Sequence, residues 1–440
     1  DKLIEITHNN YIEVTHMTGM PDITTHGQID IENNAGASIG TCRARSIERV
    51  SGDGASNASR YRIHIFDVIF AGSNTTGMAD AKTLDRLNGG ESNFAATIAD
   101  AGAATAYNIG PDSLIYELPY KRIKTLNGQV DETLADDFEF RYEVNRIVGS
   151  ATVSGTGTAT FTALTSGEQF GTKSSNTNWI LINDTNDGDG GEAITNTSTQ
   201  VTINNSVTPP TVVISGLPTS GNLGGGQSDG AVGDTVRLIA PMVRTLAQKS
   251  KNLNNATKSF SAGTDFTGTG QALGHADVHE LVSVVETSGS ANVTTHFELD
   301  NGQRDNFYGP SALRGRTAAT VSTIYAKVAY FEWDAGGDYF SVESYTNASQ
   351  NQTFTYADIP SYQVRSDGEI KELHNYLDFR NKLDPTQDTM PASDHFDLPR
   401  DADTITYNVE WWQPRVDLFQ IGYDKNFRPV FNYKYGTPAM

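Results

Sequence analysis

A single cysteine, Cys42, stands in 440 residues. Intramolecular disulfides are therefore excluded, and so is a structural zinc site built from several thiolates. Cys42 itself reads as a small buried apolar residue. Basic residues are the next shortage: 32 Lys and Arg against 53 Asp and Glu leave a net charge of -21. A phosphate backbone is repelled by that charge unless a local basic stripe overrides it, so no nucleic-acid partner is expected. Lys249, Lys251 and Lys258 come nearest to such a stripe, and Asn, Thr and Ser dilute them. No apolar run approaches the ~18 residues of a membrane span, and neither a signal peptide nor membrane insertion is expected. Catalytic signatures are missing too. There is no Gly-x-Ser-x-Gly elbow, and glycine runs such as Gly224, Gly225 and Gly226 lack the Lys-Ser/Thr of a phosphate loop. No repeat of fixed period is visible. Asp1 in place of an initiating Met points to a segment of a longer chain.

What is present reads as β structure. Hydrophobic residues make up only 37%, Gly reaches 41, and Thr, Ser and Asn are abundant, the mixture of short strands and many turns. Disorder is the competing source of such a composition, but 18 Tyr, 19 Phe and 4 Trp are too many for it. Alternating or β-branched runs predict strands near residues 3–14, 29–32, 60–70, 114–118, 138–144, 179–182, 201–203, 212–214, 235–240, 325–333, 339–345 and 405–411. One helix is expected, at 276–285. The fold class is accordingly mainly β and multidomain, with several small antiparallel sheets or sandwiches and little helix. Composition shifts divide it into an N-terminal β unit (1–88), a connecting β segment (89–148), a Thr/Gly-rich inserted sandwich (149–235) and a β-rich domain (236–440).

Three constellations invite a chemical reading. His275 and His279 would share a face of a helix and could pinch a cation, but Glu280 follows the second His and no third ligand is near. Asp184, Asp187, Asp189 and Glu192 resemble a calcium loop in composition, yet Gly188 falls where the EF-hand register needs an oxygen ligand. No metal or cofactor is expected from either. The sharpest run is Asp300, Asn301, Gly302, Gln303, Arg304, Asp305 and Asn306, followed by Phe307 and Tyr308. Asn301-Gly302 favours a tight turn, and Arg304 offers five donors. Arg304 is therefore expected to be a buried or half-buried staple paired with Asp300, Asp305 or Asp378.

Residues 299–308, Leu-Asp-Asn-Gly-Gln-Arg-Asp-Asn-Phe-Tyr, resemble the signature of a domain family of unknown function found in virion proteins of contractile-tailed phages, especially those of marine cyanobacteria. Further elements of the family pattern follow in order: Phe331-Glu-Trp333, Gly337-Asp338-Tyr339-Phe-Ser-Val-Glu-Ser-Tyr345, Tyr356-Ala-Asp-Ile-Pro360, Leu377-Asp378-Phe-Arg380 and Trp411-Trp-Gln-Pro-Arg415-Val-Asp417. The resemblance implies a role in the baseplate, or in a tail fibre or its attachment site. It also implies other tail proteins as partners, several copies per virion and solubility in the host cytoplasm before assembly. It supplies no catalytic residue. Asp300–Asn306, Tyr308, Asp338, Tyr339, Asp378, Arg380, Arg415 and Asp417 stand as structural or interface candidates. The expected function is assembly without enzymatic activity. Two alternatives stay open: a receptor-binding adhesin touching the host surface at a fibre tip, and a polysaccharide-cleaving tailspike. A long series of parallel β-helix coils would favour the tailspike, and the sequence offers none.

Overall fold

A computed structural model describes residues 2–8, 10–15, 28–52, 58–73, 77–86, 95–99, 107–110, 113–127, 141–165, 167–173, 179–183, 193–194, 200–219, 232–245, 248–287, 291–315, 322–334, 337–346, 355–365, 367–383, 398–413 and 418–434. The fold is mainly β. Among the described residues, helical structure is confined to five 3₁₀ turns of three or four residues.

The first sheet closes on itself. Its strands run in the order Arg60–Phe70, Ser38–Ser51, Gln28–Asn33, Ala81–Arg86, Ala95–Ile98 and Tyr11–Thr15, and Tyr11–Thr15 pairs back to Arg60–Phe70. Closure removes the free edges that an open sheet would expose. The barrel strands send Ile12, Val14, Ile29, Ile31, Ile47, Ile63, Ile65 and Leu84 into one apolar cluster. Each such side chain, fully buried, contributes about 1.5–3 kcal/mol. Cys42 lies in the same cluster, and burial pushes its thiol up to about 12. The barrel extends past residue 88, since Ala95–Ile98 belongs to it and Tyr107–Asn108 adds to Tyr11–Thr15.

Beyond the barrel, Arg141–Thr152 pairs along its whole length with Thr235–Thr245, which also holds Ile180–Asn183 and Glu168–Phe170. A second sheet orders Thr158–Thr162, Thr211–Ser215 and Gln200–Asn204. Phe161, Val212 and Ile214 of one and Phe170, Leu238 and Met242 of the other enter one core, as in a sandwich. The sandwich is thus rooted in two long strands that bracket the Thr/Gly-rich stretch.

The C-terminal half stacks a four-stranded sheet (Val278–Glu286, Ile324–Trp333, Lys251–Phe260, Tyr345–Thr346) against a three-stranded one (Gln271–Ala276, Pro310–Gly315, Phe297–Asp300). Two expectations fail here. The helix expected at 276–285 is instead the strand Val278–Glu286, separated from Gln271–Ala276 by Asp277 in the left-handed region at φ 55°. Bulges between Val278 and Glu280 and between Leu281 and Ser283 shift its register and blur the period-two pattern. The strand expected at 339–345 is broken by a 3₁₀ turn, Val342–Ser344, whose first N–H groups are capped by Ser341. Finally, Lys2–Glu5 and Ile123–Asn127 flank Thr404–Trp411 in one sheet, which ties together segments far apart in the sequence. Leu418–Tyr423 and Pro429–Lys434 form a two-stranded hairpin of their own.

Candidate functional site

Five of the motif residues, Gln303, Tyr308, Trp333, Asp378 and Arg380, converge on a node closed to water. Lys251 begins the strand Lys251–Phe260 and shares an inward face with Leu253. Its ammonium sits 2.8 Å from Asp277 Oδ2 and donates to the Tyr308 hydroxyl at 2.9 Å. Trp333 Nε1 donates to the same Asp277 oxygen at 2.8 Å. The Tyr308 hydroxyl passes its own proton bond to Asp378 Oδ2. Arg380 then grips Asp378 with both arms of its fork, Nε to Oδ1 at 2.9 Å and NH2 to Oδ2 at 2.8 Å. Its remaining donors reach Gln303 Oε1 (3.2 Å), the Arg304 carbonyl (3.0 Å) and the Tyr308 hydroxyl (2.6 Å). Lys251, Arg380 and Tyr308 are 0% exposed, and Asp277 and Asp378 are 1% and 2%. Two cations and two carboxylates are thus neutralised inside the protein, which is the condition for burying charge at all.

The electrostatics follow from this enclosure. Burial alone would raise the Asp378 carboxyl, but Arg380 and Lys251 outweigh it and hold the group below the usual carboxylate range. Burial works against the Lys251 cation and lowers its pKa, with Asp277 and Asp378 opposing. Burial drives the Tyr308 phenol well above its ordinary value, so it remains a proton donor to Asp378. Aromatic faces complete the shell: Lys251 lies 4.1 Å from the Tyr308 ring centroid and 4.2 Å from that of Phe340, and Arg380 lies 4.1 Å from Tyr308.

Comparison with protein-family models, with curated proteins and with solved structures found no match.

The other sequence candidates fall into distinct roles. Asp300 and Asn301 form turns on themselves, accepting the Gly302 and Gln303 N–H groups at 3.1 Å each. Gly302 adopts φ +80°, and its carbonyl takes the Gly309 N–H at 2.7 Å. Arg304 is half-buried and pairs with Asp300 at 3.2 Å, an oxygen pair it shares with Arg314 and Arg365. Asp305 accepts from the Tyr362 hydroxyl at 2.6 Å, and the Asn306 carbonyl accepts from Arg45. Asp338 binds a second buried cluster: Arg244 Nε approaches it at 3.0 Å and the Tyr142 hydroxyl donates at 3.1 Å. Arg244 and Arg146 both contact Glu168 there. Tyr339 packs edge-on to Tyr142 and accepts the Lys249 N–H through its carbonyl. Arg415 and Asp417 lie outside the described residues, as do Asp184, Asp187, Asp189 and Glu192.

His275 stacks on Tyr330 at 4.0 Å and His279 packs near Phe331, so the two rings lie on different strands instead of one helix. Among the described residues no group of three or more His, Cys, Asp or Glu could hold a metal. Sequence reading missed Lys251, Asp277, Arg244 and Glu168. A signal existed for the first: Lys251 alternates with Leu253 while Asn252 and Asn254 occupy the other face. No helix among the described residues is long and apolar enough to cross a membrane.

Proposed function

We propose that the chain is a structural component of a contractile phage tail, in the baseplate or at a fibre or its attachment site, and that it works by protein–protein assembly without catalysis. The motif resemblance supplies the setting. The observation that carries the assembly role is the hairpin Leu418–Tyr423 with Pro429–Lys434. It forms a two-stranded sheet of its own, while Ile421, Tyr423 and Phe427 are 59%, 72% and 87% exposed. Two strands alone are marginal in water, and large apolar side chains on them and on their turn call for a covering partner. The sealed node supports the same reading from the other side. Lys251, Asp277, Tyr308, Asp378 and Arg380 are committed to one another, and none exposes more than 2% of its surface. Immunogold labelling of intact virions with antibodies against the purified chain tests the proposal. Gold confined to a fixed level of the tail is expected; gold on the capsid, or none on the particle, overturns it.

A further inference from the structure

A cavity of about 550 Å³ opens between the 3₁₀ turn Tyr356–Asp358, the strand Ser361–Gln363, the turn Leu373–Asn375 and the end of Thr404–Trp411. This is the volume range of small-molecule sites. Its apolar walls are Tyr356 and Trp412, set perpendicular at 81° with ring centroids 4.7 Å apart, and His374 lies 4.7 Å from Tyr356 on another side. Trp412 keeps 45% of its surface in solvent, although its position is fixed by a backbone hydrogen bond from its N–H to the Arg122 carbonyl at 3.1 Å. Polar groups line the same cavity: Arg122, Ser361 and Glu372. Tyr356 presents a buried hydroxyl that has no hydrogen-bond partner among the described residues. Burial and Glu372 push that phenol up to about 12, so it is a donor at neutral pH.

We infer that this cavity binds a pyranose ring. The ligand class follows from the mixture of surfaces. A pyranose has a C–H face that stacks on an exposed indole and a rim of hydroxyls that pair with a carboxylate and a guanidinium. A purely apolar ligand would leave Glu372 and Arg122 desolvated without partners, at a cost that opposes binding. A strongly anionic ligand meets Glu372, and a strongly cationic one meets Arg122. Trp412 is the stacking platform, Tyr356 closes the corner beside it, and Glu372 accepts from ring hydroxyls while its other contacts, His374 at 3.4 Å and Asn375 at 3.2 Å, hold it in place. The inference goes beyond the assembly role and does not depend on it, because the test uses the purified chain alone.

Saturation-transfer NMR with the methyl glycosides of glucose, galactose, mannose and N-acetylglucosamine, each in the millimolar range, reads the site directly. At least one glycoside should give saturable signals. Trp412→Ala should weaken its binding about tenfold or more, with an unchanged melting temperature. Glu372→Gln, which keeps the volume of an exposed side chain, should weaken it as well and serves if Trp412→Ala does not fold. Absence of signal from all four glycosides overturns the inference, as does binding that survives whichever of the two variants folds.

Discussion

Lys251 and Asp277 form a 2.8 Å salt bridge in which neither side chain is more than 1% exposed, and the strand lying between their segments, Ile324–Trp333, contributes Trp333 to the same carboxylate oxygen. One pair thus locks three neighbouring segments. Losing one partner strands the other in a medium that solvates it poorly. Lys251→Met should cost about 3–5 kcal/mol. Asp277→Asn keeps an acceptor for Trp333 and tolerates the left-handed backbone at φ 55°. The double variant should therefore be more stable than Lys251→Met alone. Chemical denaturation of the four proteins of the cycle checks this, and simple additivity of the two costs would sink it.

Arg380, not Arg304, carries the heavier structural burden. Arg380→Ala leaves Asp378 buried without its bidentate cation, with the Tyr308 hydroxyl and the Lys251 charge still facing it, and should cost about 3–5 kcal/mol, with Arg380→Lys recovering only part because an ammonium lacks the fork. Arg304→Ala should cost about 1 kcal/mol or less, since the residue is partly exposed and Arg314 and Arg365 still serve Asp300. Thermal unfolding of the three variants orders them, and a larger loss for Arg304→Ala would reverse the assignment.

Gly302 is the position where the signature turn depends on glycine. At φ +80° a Cβ would lie 2.1 Å from the Gly309 carbonyl oxygen, so the turn must open. Gly302→Ala should lose about 1–3 kcal/mol or more. Gly36 has a similar φ of +70°, but a Cβ added there would meet nothing within 4 Å, so Gly36→Ala carries the backbone strain alone. Comparable losses at the two sites, measured by chemical denaturation, would show that the close approach at Gly302 is unimportant.

His8 gives the fold an acid limit. Burial, reinforced by the His64 ring at 5.0 Å, lowers its pKa from 6.5 to about 4, and its Nε2 sits 2.6 Å from the Pro399 carbonyl. The unfolded chain takes up this proton first as pH falls. Stability should therefore decline from pH 6.5 down to about 4 by roughly 3 kcal/mol and show no further loss from this group below that. His8→Gln should flatten the profile in that window. An unchanged slope in the variant would assign the acid sensitivity elsewhere.

Much of the strand content was legible because β-branched and aromatic residues cluster in these runs. The run expected at 60–70 is the strand Arg60–Phe70, and that expected at 405–411 lies within Thr404–Trp411. The segment around Asp277 was not, because a left-handed residue and two bulges break the alternation that reveals a strand. At the node, Tyr308, Asp378 and Arg380 stood out by their motifs. Lys251 did not, because a lysine on an inward face is the exception and only a partner distant in sequence makes it tolerable. Asp277 is 26 positions from Lys251, since 277 minus 251 is 26, and local pattern carries no information about such a meeting.

The sheet that joins Lys2–Glu5 to Thr404–Trp411 sets a clock on biosynthesis. Lys2 finds its partner in Tyr407, so about 400 residues must leave the ribosome after it before that edge can be zipped. At typical elongation rates the earlier strand waits roughly 20–80 s for its neighbour. The ring of barrel strands between Tyr11 and Ile98 is synthesised long before then, although Ile180, Ile182 and Ile239 of its apolar cluster follow later. The nascent protein therefore carries an unmatched strand through that whole interval, exposed to whatever else can pair with a bare edge.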